Sequence, residues 1–121
     1  MERNKREKGS RYEEQAAAFL EERGVRILER NFRCRQGEID LVGNKDDTLI
    51  FFEVKYRKND VYGSPSEAVD IRKQNKICRA ADLYCMKNNL CEDKAVRFDV
   101  IAVLDREITW YRDAFAYREV R

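Results

Sequence analysis

Gly37-Glu38-Ile39-Asp40-Leu41-Val42 and Phe51-Phe52-Glu53-Val54-Lys55 read as the two arms of one β-hairpin. The stretch between them carries the turn formers Gly43, Asn44, Asp46 and Asp47, flanked by apolar, β-favouring residues. That is the ordinary signal for a hairpin. A turn centred between Asp46 and Asp47 places Asp40 opposite Glu53, and Glu38 opposite Lys55. Directly opposed residues in an antiparallel pair have Cβ atoms about 5 Å apart, and like charges there are destabilising. Two carboxylates so placed either share a proton or hold a cation. Oxygen donors of this kind suit Mg²⁺, usually held by one or two carboxylates plus water and substrate phosphates. Lys55, two residues beyond Glu53, points to the same face of its strand.

A plainer reading stands beside this one. Charged residues at alternate positions also mark the wet face of a half-buried hairpin, and 40% of this chain is charged. Register decides between them, because a one-residue slip would put Asp40 and Glu53 on opposite faces. The second arm, Leu49 to Val54, is too apolar for a solvent-washed edge, so Glu53 within it is expensive unless paired.

The 121 residues hold one proline and five glycines, with no break in composition. They suggest one domain, long enough to bury a core without staples. No apolar run approaches a membrane span, and the charged start Met1-Glu2-Arg3-Asn4-Lys5-Arg6 is unlike a signal peptide. The expectation is therefore a cytoplasmic protein whose cysteines, at 34, 78, 85 and 91, are reduced. They form no CxxC pair, and Cys78 and Cys85 read as core filler on a helix. The chain contains no histidine, which excludes Ser-His and Cys-His nucleophilic schemes and histidine acid–base catalysis. An enzyme built from this sequence must use carboxylates, lysine, tyrosine or a metal. Net charge is only +2, so distribution matters more. Lys55, Arg57 and Lys58 follow the acidic arm, and Arg72, Lys73, Lys76 and Arg79 gather on the next helix. Singly these are a solvated basic surface. Around a carboxylate pocket, they are what a phosphodiester would need.

Outward from the hairpin, residues 1–9 lack apolar content and read as a mobile basic arm, with one domain over 10–121. Ser10 to Arg23 has a helical stripe of Tyr12, Ala16, Phe19 and Leu20, widened by Ala17 and ended by Gly24. Glu13 sits at the stripe's edge, either completing a capping box with Ser10 or looking into a neighbouring cleft. Val25 to Arg33 reads as a strand. Ser64-Pro65-Ser66-Glu67 signals a helix start, with a break near Asp70 and an end at Asn88 or Asn89. Ala95 to Leu104 and Ile108 to Tyr111 read as strands, and Ala114, Phe115 and Tyr117 as a final helical turn or docked tail. The order α-β-β-β-α-β-β, with a crossover making the second hairpin arm and the Ala95–Leu104 strand parallel neighbours, predicts an α/β domain with a mixed sheet.

Gly37-Glu38-Ile39-Asp40 followed by Glu53-Val54-Lys55 resembles the metal-binding motif of the PD-(D/E)xK nuclease superfamily. The chain is more closely similar to the YraN-type family of small bacterial proteins. That likeness takes in Glu13, Gly24, Asn31-Phe32-Arg33, the lysine-rich second helix and Arg97-Phe98-Asp99-Val100. Archaeal Holliday junction resolvases look similar in the helix Glu, the Asp-to-Glu spacing and the Lys. The resemblance implies a restriction-endonuclease-like sheet flanked by helices, and a Mg²⁺- or Mn²⁺-dependent endonuclease acting on DNA, branched or damaged. A homodimer is the expectation for symmetric cleavage. Asp40, Glu53 and Glu13 would bind the metal, and Lys55 would activate the attacking water. Lys73 or Gln74 would touch the scissile phosphate, with Lys76, Arg57 and Arg35 adding nucleic-acid contacts. Ile39 stands where the superfamily name has proline, which is not a ligand. Two further readings remain: a catalytically silent nuclease-fold module binding nucleic acid or a partner protein, and a purely structural domain.

Overall fold

A computed structural model of the chain describes residues 5–57, 69–89 and 94–119. Its elements are α1 (Lys5–Glu22), β1 (Arg26–Cys34), β2 (Gly37–Lys45), β3 (Thr48–Arg57), α2 (Ile71–Asn88), β4 (Ala95–Leu104) and β5 (Glu107–Phe115). This is the expected order. The five strands form one mixed sheet in the order β1-β2-β3-β4-β5, with β3 and β4 parallel and every other pair antiparallel. Among the described residues, no helix is long and apolar enough to cross a membrane.

The β2–β3 turn sets the register. Asp46 and Asp47 have φ of 50° and 62°, the paired left-handed conformation of a two-residue turn whose twist matches the strands it joins. Lys45 therefore pairs with Thr48, and the ladder continues as far as Leu41 with Phe52. That is the register expected from the sequence.

Alternation along the strands then divides the core in two. On one face Ala16, Ala17 and Leu20 of α1 pack with Leu41, Ile50, Phe52, Ile101 and Val103. On the other, Ile77, Ala80, Ala81 and Tyr84 of α2 pack with Val42, Leu49, Phe51, Phe98 and Val100. Gly24, at φ 88°, ends α1 while the Val25 N–H donates back to the Leu20 carbonyl at 3.0 Å.

Several boundaries differ from expectation. α1 begins at Lys5, so Ser10 lies inside the helix and residues 5–9 belong to it. Lys, Arg and Glu are good helix formers without any apolar contact, which carries the helix past the end of its buried stripe. Glu13 is then well beyond the first turn, and its capping role falls away. Met1 to Asn4 lie outside the described residues, as does the Ser64-Pro65-Ser66-Glu67 start. Asp70, where a break was expected, is the N-cap of α2, its carboxylate accepting the Lys73 N–H at 2.8 Å. Cys34 and Cys78 are free thiols, but Cys85 is disulfide-bonded, which corrects the expectation of reduced cysteines throughout.

The last strand is longer than expected, taking in Ala114 and Phe115, and Asp99 explains why. Asp99 is fully buried. It accepts two hydrogen bonds from Arg97 at 2.9 Å, one from Trp110 Nε1 at 2.8 Å and one from the Asp113 N–H at 2.8 Å. Meeting that last bond shifts the β4–β5 register between Phe98 and Val100 and puts Asp113 at φ 54°. The strand bulges around a buried charge and then resumes. Trp110→Phe keeps an aromatic ring but loses the indole's second ring and its donor to a buried carboxylate, so we expect a loss of about 2 kcal/mol, read as a lower urea midpoint with unchanged m-value.

Candidate active site

β2 and β3 stop pairing at Leu41 and Phe52, although β2 begins at Gly37 and β3 runs to Arg57. Where the ladder ends, a side chain takes over. Asp40 Oδ2 accepts the Val54 N–H at 2.8 Å. The expected opposition of Asp40 and Glu53 thus lies one step past the last backbone pair, where the Asp40 carboxylate reaches across to the β3 backbone beside Glu53. The expected opposition of Glu38 and Lys55 is not formed. Glu38 pairs with Arg33 of β1 instead, with 3.5 Å between Oε2 and Arg33 Nε.

Burial makes these carboxyl groups costly to ionise together. Asp40 is pushed up to about 8, chiefly by desolvation, then by the negative charge of Glu53, with Glu13 adding to it. Glu13, half-buried on α1, also has its proton affinity raised by burial, while hydrogen bonds to Asn31 and Asp40 work the other way. A hydrogen bond between two carboxyl groups requires a proton between them. Glu53 is only 5% exposed, and its charge is met by cations. Lys73 Nζ lies 2.7 Å from Glu53 Oε1, and Lys55 Nζ 3.7 Å from the same oxygen.

The two lysines are pushed in opposite directions. Burial lowers Lys55, helped by the adjacent Lys73 ammonium, and the Glu53 carboxylate only partly offsets this. For Lys73, burial also pulls downward, but Glu53 and a hydrogen bond with Lys55 outweigh it and leave its pKa raised. Lys73 is thus the more firmly charged of the pair, and Lys55 the one whose proton is held less tightly than usual.

Glu13, Asp40, Glu53 and Lys55 are therefore brought together as the sequence suggested. Lys73 joins them on Glu53 itself, rather than standing apart. Gln74 does not reach them, because its amide donates to the Val69 carbonyl at 2.8 Å. Lys76 lines a cleft beside the site, and Arg35 is exposed in the β1–β2 turn. Arg57 ends β3, and its side chain lies outside the described part. Asn31 entered the sequence reading only as part of the family likeness, with no role in the site. At φ 54° it occupies the left-handed region, which Asn tolerates better than most residues, and its amide hydrogen-bonds Glu13. A lone Asn in a strand, between Arg30 and Phe32, was the available signal.

The donors present are carboxylate oxygens, which suit a hard divalent cation. Among the described residues, no three carboxylate or thiol groups are arranged to enclose a metal. Two carboxylates suffice for Mg²⁺, which keeps several waters, and the charge of Glu53 adds to the raised proton affinity of Asp40, as expected where no cation stands between them. On donor chemistry the residues fit.

The sequence model described as "Uncharacterised protein family UPF0102" matches residues 12–103. The chain belongs to UPF0102. It is 46% identical over 112 residues to a UPF0102 protein of Lachnoclostridium phytofermentans, covering 93% of this chain and 95% of the relative. A UPF0102 protein of Photobacterium profundum is 45% identical over 111 residues, 89% of each chain. One from Clostridium botulinum is 49% identical over 96 residues, covering 79% of this chain and 78% of the relative. The UPF0102 match takes in Glu13, Asp40, Glu53, Lys55 and Lys73, and ends before β5.

Proposed function

We propose that this protein is a metal-dependent endonuclease of the PD-(D/E)xK type, hydrolysing phosphodiester bonds in DNA. One observation carries the reading: a proton-hungry Asp40 and a buried Glu53 meet past the end of the β2–β3 ladder, with Lys55 and Lys73 on Glu53. Asp40 and Glu53 would hold Mg²⁺ or Mn²⁺, with Glu13 steadying Asp40. Such an ion lowers the pKa of bound water and offsets charge building on the phosphate.

The chain's own residues supply the rest. Lys55, lowered by burial and by Lys73, is fitted to accept a proton from the attacking water. Lys73 keeps its charge and neutralises Glu53, so that the carboxylate does not repel an approaching phosphate. Asn31 fixes the Glu13 carboxyl, so the acid reaching in from α1 does not swing free.

The test is a panel of labelled single strands, duplexes, flaps and four-way junctions, incubated with Mg²⁺ or Mn²⁺ and with EDTA. Metal-dependent cleavage of at least one, absent in Asp40→Ala and Glu53→Ala variants that stay folded, is the expected result. Retained cleavage in both variants would remove the site assignment. Lys55→Met should lower the rate about 10²-fold and abolish the rise in rate with pH that a lysine proton acceptor gives. An unchanged pH profile would take that role from Lys55.

A further inference from the structure

Beside the carboxylates, and sharing Lys73 with them, lies a cleft of about 500 Å³, walled by Arg33, Cys34, Gly37 and Glu38 of the β1–β2 hairpin and by the first turns of α2. We infer that this cleft carries the backbone of one unpaired nucleic-acid strand to the carboxylates, so that the substrate is single-stranded at the point of attack. This rests on the nuclease reading above and adds the form of its substrate.

Charge is the first argument. Four cations line the cleft, Arg33, Arg72, Lys73 and Lys76, against two acids, Glu38 and Asp70. Both acids are already engaged. Glu38 lies 3.5 Å from Arg33, and Asp70 caps the helix through the Lys73 N–H. Lys73 is spent on Glu53. Arg72 and Lys76 remain, with no ion-pair partner among the described residues. They stand four apart on one helix face, where like charges repel by a few tenths of a kcal/mol, and both are exposed. An anion lying between them would relieve that repulsion, and a phosphodiester chain presents one at every nucleotide.

Shape is the second. The hairpin sits directly on the helix backbone, since a Cβ on Gly37 would come within 2.9 Å of the Lys76 carbonyl oxygen. Glycine there lets the floor close, so the cleft is set by backbone contact rather than by movable side chains. Its volume falls in the range of about 300–1,000 Å³ typical of small-ligand pockets. That is room for one or two nucleotides of an unpaired strand, the occupant inferred for it. The direction is the third. Lys73 lines the cleft and also touches Glu53, so a strand lying along Arg72 and Lys76 leads to the carboxylates.

The test is fluorescence anisotropy of a labelled twelve-residue oligothymidylate and of a blunt duplex of the same length, in EDTA, across a salt series. The protein is full length, either unaltered or as the Arg72→Gln/Lys76→Gln variant. Glutamine keeps the helix and much of the aliphatic stem, and a thermal melt checks the fold. Affinity for the single strand should fall about tenfold, and the salt slope by about 1.4, close to 0.7 for each lost cation. Duplex binding should change less than twofold. An unchanged single-strand affinity overturns the inference, and so does an equal loss on the duplex. Manganese-dependent cleavage of the same strand by the unaltered protein is followed in parallel. Cleft-dependent binding without any cleavage sinks the nuclease reading alone, and cleavage with unaltered binding by the variant sinks the cleft alone.

Discussion

Glu53→Gln should reduce manganese-dependent cleavage by a factor on the order of 10³ or more, and should erase the stabilisation that manganese gives. Both losses come from one carboxylate. A neutral amide cannot supply the charge that holds a divalent ion beside Asp40, and with the ion goes the activation of water. The same change has a cost without metal. Lys73, 39% exposed, and Lys55 lose the anion between them. Because Lys73 is partly solvated, the destabilisation is discounted to about 1–2 kcal/mol rather than the larger penalty of a fully buried pair. Thermal melts with and without Mn²⁺ separate the two effects. A variant that still gains stability from manganese would show that the ion, if bound, sits away from Glu53.

The parts of this site legible in the sequence are those fixed by local geometry. Asp46-Asp47 favours a turn with two left-handed residues, that turn fixes the β2–β3 register, and the register brings Asp40 against the β3 backbone next to Glu53. Nothing farther away was needed. The side chains that support the carboxylates were not legible, because their places depend on where helices meet the sheet. Helical spacing leaves Arg72, Lys73 and Lys76 looking alike, yet of the three only Lys73 reaches Glu53, because α2 is capped by Asp70 and packs through Lys76 against the start of β2 at Gly37. The role of Asn31 was not legible for a related reason: it appears only when α1 brings Glu13 over β1. In the fold, the errors have the same source. The start of α1 outruns its apolar stripe, and β5 bulges to satisfy Asp99, a residue on another strand.

Asp40→Asn should act in the opposite sense on the metal-free protein, and its effect should depend on pH. The folded-state pKa of Asp40 is about 8, whereas an unfolded aspartate titrates near 3.9. Between those values the folded state binds the extra proton, so stability declines as pH rises. The neutral carboxyl's full contribution is present below about pH 4 and is gone once pH passes about 8. Asparagine is neutral throughout. It can still accept the Val54 N–H, and its amide can donate to Glu13, so it removes the decline while keeping the contacts. Relative to the unaltered protein, the gain should grow between pH 5 and pH 8 to about 2 kcal/mol, allowing for solvent reaching a half-buried group. Urea denaturation in EDTA at the two pH values reads it directly. Adding Mn²⁺ at pH 8 should reverse the order, since only the carboxylate can hold the ion. The opposite responses of Glu53→Gln and Asp40→Asn without metal, and their shared failure with it, distinguish a cation site from a charged surface. A purely structural hairpin would give two small effects, neither moving with manganese. A flat difference between pH 5 and pH 8 would mean that Asp40 ionises normally and that no unmet demand for a cation exists there.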